Sequence, residues 1–401
     1  MKSSFFRFCF FVCISLFSVA YSSHERLLDK GFLIEGKISD IEDGTVVNLF
    51  RWDVNVGVRI ASDTLMSGHF IFKGEVVSDP ERLTISPQGN GFPSMSLYVW
   101  VTQGVKVKIE GSGKLHPLWE VTSSVPYQKE ENRYMNKSHD ILAEIARISA
   151  ERSAVFSKIM VASSREESLP YRKIVDSLDV ISDSLRVIEY YANADIMEKT
   201  DISPIWLDKM KDISYQVKKI KTGDEYLGAL RQKTENLYAR ISEEDKNTPL
   251  GYLITAILFP PPVFVVGDDM PDTDFFDSNG NTKHLSDYSG KYLLLDFWSS
   301  GCGPCIMSIP EMKEISEAYN EKLTIISISL DTDTRWKEAL STHDMSWVNI
   351  RDPKAFGGLA ASYGVNGIPC YVMISPENKI IDIWGGFGKG NLKRKVGENV
   401  Q

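Results

Sequence analysis

Cysteine is scarce in this chain. There are five in 401 residues, and two of them, Cys9 and Cys13, fall in the first twenty. The other three, Cys302, Cys305 and Cys370, are too few to staple a fold by disulfides, so their thiols read as working groups. The chain has no second Cys-x-x-Cys and only six histidines. Structural zinc takes four ligands, and here it would have to improvise a set from Cys302, Cys305, Cys370 and one histidine, so no metal site is expected. Positive charge is also short: 45 Lys and Arg stand against 54 Asp and Glu, a net charge of −9. That balance argues against a nucleic-acid partner, which wants a basic face. No heptad pattern is sustained to the length of a long coiled coil. The apolar run Phe8 to Val19 is short of the ~20 residues that span a bilayer.

What is present begins with an export address. Lys2 and Arg7 precede the centre of that apolar run, and Ser18-Val19-Ala20 offers small residues where an export peptidase reads. A signal peptide over 1–20, cleaved after Ala20, is expected, with an uncleaved membrane anchor as the alternative. Cys13 lies inside the apolar run without the usual small residue before it, which argues against a lipoprotein.

The length suits two or three further domains. Residues 25–125 carry short, turn-punctuated runs that read as strands, among them Phe32 to Ile38, Thr45 to Phe50, His69 to Phe72, Arg82 to Ile85, Leu97 to Val101 and Val105 to Ile109. Their spacing predicts a β-sandwich. His69 and His116 read there as surface or packing residues. Residues 127–258 turn helical and charged. The stripes Ile141, Ile145, Ile148, Val155, Ile159; Ile174, Leu178, Ile181, Leu185, Ile188; and Leu227, Leu230, Thr234, Leu237, Ile241 each mark one apolar face of a helix, expected to pack within a bundle or on its neighbours, with a dimer face or a protein-substrate clamp as the alternative. Ser203-Pro204 and Thr248-Pro249 suit helix starts. Three prolines, Pro260 to Pro262, then make a stiff connector into a last domain, 259–401.

In that domain the apolar run Tyr292 to Trp298 reads as a buried strand, and Cys302-Gly303-Pro304-Cys305 follows it at the start of a helix. Two cysteines at this spacing can close a small disulfide. A sulfur at a helix N-terminus is favoured as thiolate by backbone N–H groups and the helix dipole. Pro304 pre-sets the first helical turn and carries no N–H to leave unpaired. Cys302 is therefore the expected nucleophile towards a disulfide in another protein, with Cys305 resolving the mixed disulfide. Asp296 is an acid inside an apolar strand, where a charge is costly to bury.

The run Leu295 to Cys305 resembles the thioredoxin active-site signature, and its surroundings resemble the exported TlpA/ResA branch of that superfamily. The resemblance covers about a third of the chain, from Pro262 onward. It implies a C-terminal α/β thioredoxin fold, whose redox group is the Cys302–Cys305 disulfide with no other cofactor, acting on protein thiols and disulfides in the periplasm. It also implies that Asp296 lies behind Cys305 and assists its proton transfer, and that Pro369 is cis and faces the disulfide. The Ile368 backbone would then be free to pair with an extended substrate segment. Gly301 stands where the superfamily usually has tryptophan, which opens the surface beside Cys302, and Gly301, Gly303 and Pro304 are expected to contact the substrate. Ser308 stands where many relatives carry an acid. Cys370 follows the implied cis-proline, where a small residue is usual, and reads either as a third thiol near the pair or as a small core hydrophobe. The layout of 25–125 resembles the β domain that precedes thioredoxin-like domains in Bacteroidetes proteins.

Electrons for a reductase would come from a membrane donor, because such compartments are oxidising. Isomerase or oxidase action is the nearest alternative. A peroxidase would want proline at the position of Leu295. A redox-inert binding module is the non-enzyme alternative, and Cys-Gly-Pro-Cys, Asp296 and Pro369 argue against it.

Overall fold

A computed structural model of the chain describes residues 31–53, 56–219 and 225–400. The expected signal peptide, with Cys9 and Cys13, lies outside the described residues. The chain divides into two compact units, which meet in sequence at Ile196 and Met197.

The first unit opens with eight strands: β1 (Gly31–Ser39), β2 (Val46–Asp53), β3 (Val56–Thr64), β4 (His69–Glu75), β5 (Glu81–Pro87), β6 (Leu97–Val101), β7 (Lys106–Ser112) and β8 (Glu120–Thr122). They form two four-stranded sheets, ordered β4-β1-β7-β8 and β3-β2-β5-β6. Alternation sets the register. In β7, Val107 and Ile109 are buried while Lys106, Lys108 and Glu110 are exposed. Strands β3 and β8 were not expected from sequence. β3 does alternate Val56, Val58 and Ile60, a missed strand signal, and β8 is three residues long. His116 is fully buried between Phe92 and Trp119, and its Nε2 lies 2.8 Å from the Met95 carbonyl.

Three helices complete this unit: α1 (Pro126–Lys137), α2 (His139–Val161) and α3 (Arg165–Met197). The stripe expected to be the packed face of α3 is covered only in part. Leu178 is buried and Leu185 half-buried, but Ile174, Ile181 and Ile188 are 43%, 50% and 46% exposed, whereas Val175, Val187 and Ala194, outside the stripe, are buried. The helix packs on a face rotated from its most regular apolar stripe.

The second unit begins with α4 (Pro204–Lys219), α5 (Glu225–Tyr238), α6 (Glu243–Lys246) and α7 (Pro249–Leu258). The Ser203 and Thr248 side chains accept from the N–H groups of Trp206 and Gly251, each at 3.0 Å, so both Ser/Thr-Pro pairs do start helices. Leu230, Thr234, Leu237 and Ile241 are buried, as their spacing predicts.

The same unit then builds one seven-stranded sheet from β9 (Phe275–Phe276), β10 (Thr282–Lys283), β11 (Tyr292–Trp298), β12 (Leu323–Ser329), β13 (Val348–Arg351), β14 (Cys370–Ile374) and β15 (Ile380–Gly385), in the order β10-β9-β13-β12-β11-β14-β15. The entry hairpin β9–β10 turns at Gly280, whose φ of +83° suits glycine. Helices α8 (Gly303–Ala318), α9 (Asp333–Thr342), α10 (Leu359–Ser362) and α11 (Asn391–Asn399) lie between and after the strands. β11 is central, parallel to β12 and antiparallel to β14. Its alternation separates two layers. Leu293, Leu295 and Phe297 pack with Leu359 and Ala360, while Leu294 packs with Met312 and Ile315 of α8 and Leu392 and Val396 of α11. This is the mixed α/β fold expected of the C-terminal third.

Candidate active site

Cys302 and Cys305 form a disulfide with an S–S distance of 2.03 Å and Cα atoms 5.2 Å apart. Cys302 is the N-cap of α8, and its Sγ accepts from the Cys305 N–H at 3.2 Å. Pro304 sits in the first turn, where its missing N–H leaves nothing unsatisfied. The two sulfurs are placed unequally. Cys302 is half-buried between exposed Gly301 and Gly303, and Pro304 is also exposed, whereas Cys305 is only 2% exposed. Behind Cys305 lie Trp298 and Trp336, both buried, with Ile368 and Cys302 packed against the same group. The chain thus brings the pair and the Ile368-Pro369 corner together from segments more than sixty residues apart in sequence. The Ile368–Pro369 peptide is cis. The Pro369 carbonyl accepts from Gly386 N at 2.8 Å. Beside it a groove of about 460 Å³ is lined by Asn366, Ile368, Pro369, Cys370 and Trp384, among others.

Asp296 points to the α8 face of the sheet, since Leu294 and Trp298, its neighbours in the pleat, both pack there. It is 3% exposed, and burial pushes its carboxyl up to about 7, although a hydrogen bond from Ser327 pulls the other way. That bond, Ser327 Oγ to Asp296 Oδ2, is 2.8 Å long, and Oδ1 is buried without a hydrogen-bond partner.

Cys370 is the one free thiol among the described residues. It pairs opposite Phe297 and packs in the other layer, with Leu295, Val372 and Tyr363. Burial, and then the nearby Asp296 charge, push its thiol up to about 11, so it is a neutral thiol at ordinary pH. Ser308 is buried and donates to the Cys305 carbonyl at 2.7 Å.

Thr332 is the N-cap residue of α9, without a side-chain bond, and Asp331 before it reaches back to accept from Ser300 N at 2.6 Å. Its partner is 31 residues away, a relation that sequence spacing does not show. Ser327, Trp336 and Trp347 were likewise missed as neighbours of the site. A serine directly opposite Asp296 in the β11–β12 register was the available signal for Ser327.

A buried acid behind a helix-capping disulfide, next to a cis-proline corner on a central mixed sheet, defines a thioredoxin-like redox domain. Residues 265–394 match the Redoxin family model. The chain is 30% identical over 118 residues to the thiol-disulfide oxidoreductase ResA of Bacillus thuringiensis subsp. konkukian, spanning 67% of that protein and 29% of this chain. It is 27% identical over 135 residues to the thioredoxin-like protein YneN of Bacillus subtilis, spanning 78% of that protein and 32% of this chain. Among solved structures, the thioredoxin domain of a thiol-disulfide oxidoreductase from Bacteroides vulgatus is 28% identical with a TM-score of 0.32, covering 34% of this chain and 99% of that one. The chain belongs to the ResA-type thiol-disulfide oxidoreductases.

Proposed function

We propose that Cys302 and Cys305 act as a dithiol that reduces disulfides of proteins outside the cytoplasm. The observation that carries this is the asymmetry of the pair. Cys302 is the reachable sulfur and sits at the N-cap of α8, where a thiolate gains the Cys305 N–H and the dipole end; Cys305 is buried behind it. The Cys302 thiolate attacks one sulfur of the substrate disulfide. That S–S bond breaks, and the first substrate thiolate leaves. Cys305 gives its proton to the Asp296 carboxylate and attacks Cys302 Sγ. The Cys302–substrate bond breaks, the second substrate thiolate leaves, and both leaving thiolates take protons. Two electrons have then passed to the substrate, and the Cys302–Cys305 disulfide is restored. No cofactor beyond that disulfide is invoked.

Gly301, Gly303 and Pro304 form the open surface around Cys302 on which the substrate lies. Ile368 and Pro369 offer an extended segment a place to dock, and Cys370 contributes to the groove wall. Ile368 makes no backbone hydrogen bond among the described residues, which suits pairing with an incoming strand. Return to the dithiol requires a dithiol electron donor, and for an exported enzyme that donor is held at the membrane. None of the described helices is long and apolar enough to cross a membrane. Export itself rests on the sequence of residues 1–20 and on the ResA relationship.

The test is the reduction potential of the pair in the purified protein, equilibrated with dithiothreitol and glutathione buffers and read by alkylation and mass. A value near −270 mV, the thioredoxin end of the scale at roughly that figure, supports a reductase. A value near about −120 mV would turn the reading to an oxidase. Failure of the two cysteines to pair in any buffer would leave a binding module.

A further inference from the structure

Asp296, Ser327 and Trp347 form a hydrogen-bonded row, of which the exchange chemistry above uses only Asp296. Ser327 is fully buried opposite Asp296. Its Oγ lies 2.8 Å from Asp296 Oδ2 and 2.8 Å from Trp347 Nε1. An indole N–H can only donate, and a serine hydroxyl has a single proton. Trp347 therefore donates to one lone pair of Ser327 Oγ, and the hydroxyl proton goes to Asp296 Oδ2, its one acceptor among the described residues. Trp347 is itself held in place. The Asn349 side-chain amide donates to the Met345 and Trp347 carbonyls at 3.0 and 2.8 Å, fixing the turn that leads into β13.

We infer that Ser327 and Trp347 are positioning residues for the proton chemistry of Asp296: Trp347 donates to Ser327 Oγ and strengthens its hydroxyl as a donor, the hydroxyl occupies Oδ2, and Oδ1 is the atom that takes up and releases the proton. The functional meaning rests on the proposed role of Asp296 in resolving the mixed disulfide. A donating hydroxyl favours the carboxylate over the acid. If the indole N–H is removed, the hydroxyl is a weaker donor to Oδ2, and the acid gains. Trp347 thus acts on Asp296 only through Ser327.

The groups that face Asp296 leave this titration readable. Tyr371 lies opposite it on β14, with Cys370 beside it, and burial raises both well above neutrality, so neither changes charge near pH 7. From α8 the titratable groups are Cys305, which carries no proton in the disulfide, and Glu311, whose charge acts on Tyr371. Across β12 the residue opposite is Ser327, which does not titrate.

The experiment follows the carboxyl of Asp296 by ¹³C NMR in the oxidised full chain as pH is varied. It compares the parent protein with Ser327→Ala, Ser327→Thr, Trp347→Phe and the Ser327→Ala/Trp347→Phe double variant. Ser327→Ala moves the midpoint up by about one pH unit, the scale of a lost hydrogen bond to a charge. Trp347→Phe moves it in the same direction, the double variant matches Ser327→Ala, and Ser327→Thr, which keeps the hydroxyl, stays at the parent value. A Trp347→Phe midpoint equal to the parent's, or a shift that adds in full to that of Ser327→Ala, overturns the inference. The pH profile of disulfide reduction by the same variants separates the two claims. If the midpoints move as stated and the profile does not, the row stands and the role of Asp296 in exchange falls.

Discussion

The Asp331 carboxylate accepts the backbone N–H of Ser300 at 2.6 Å, tying the end of β12 to the turn that leads into Cys302. The same carboxylate lies 3.3 Å from Ser329 Oγ, and Asp331 is 5% exposed. Burial raises its pKa, and the Ser300 N–H is the first of the contacts that pull it back down. The loop before the nucleophile is therefore pinned by an acid just past the neighbouring strand β12, not by its own neighbours in sequence.

Asp331→Ala should leave Ser300 N–H without its acceptor and lower stability by about 1–3 kcal/mol. Hydrogen exchange at the Ser300 amide, measured in the oxidised protein, should speed up well beyond any change in the rest of the sheet. An unchanged Ser300 amide would show that the turn holds itself.

Asp296 should make the second unit less stable as pH rises. Its carboxyl titrates near 7 when folded and near 3.8 in its ordinary state. Between those values the native state holds a proton that the unfolded chain has lost, so stability falls with rising pH through this window and the loss is complete above about 7. The gap corresponds to a penalty of roughly 4 kcal/mol at pH 8. Asp296→Asn removes the charge at nearly constant volume. Its melting temperature should exceed the parent's at pH 8 and approach it near pH 4, while mixed-disulfide resolution slows by about 10²-fold, the low end for a lost general base.

His116 gives the first unit the opposite slope. It is fully buried, and burial lowers its pKa from 6.5 to about 4. The stability it contributes is whole above about pH 6.5 and is lost as pH falls towards 4, because only the unfolded chain takes the proton in that window. The unfolding transition reported by the fluorescence of Trp100 and Trp119 should shift to lower denaturant between pH 6.5 and 4.5, by roughly 3 kcal/mol at most. His116→Phe should flatten that dependence. A parent protein with no slope there would show that His116 is protonated in place.

The redox domain was more legible than its supporting contacts. Tyr292 to Trp298 reads as a buried strand because seven residues, with one acid among them, leave no polar face. Cys302-Gly303-Pro304 reads as a helix start because proline and an N-cap sulfur fit nowhere else in a helix. Ser327, Trp347 and Asp331 escaped that reading because their roles depend on strand register across 20 to 31 residues, which local pattern does not carry. The stripe Ile174, Leu178, Ile181, Leu185, Ile188 packs only in part, for a different reason. Periodicity identifies an apolar face of α3 but says nothing of what covers it: Leu178 is buried, Ile174, Ile181 and Ile188 are exposed, and Val175 and Val187 beside the stripe are buried.

The proposed exchange divides the pair, with Cys302 attacking and Cys305 resolving. It is tested most directly by reducing Cys305→Ala and Cys302→Ala, mixing each with a protein disulfide such as that of insulin, quenching with acid and weighing the products. A stable mixed disulfide through Cys302 is expected in Cys305→Ala and little adduct in Cys302→Ala, whose remaining thiols among the described residues, at positions 305 and 370, are both buried. Adduct formed mainly through Cys305, or in neither variant, would contradict it.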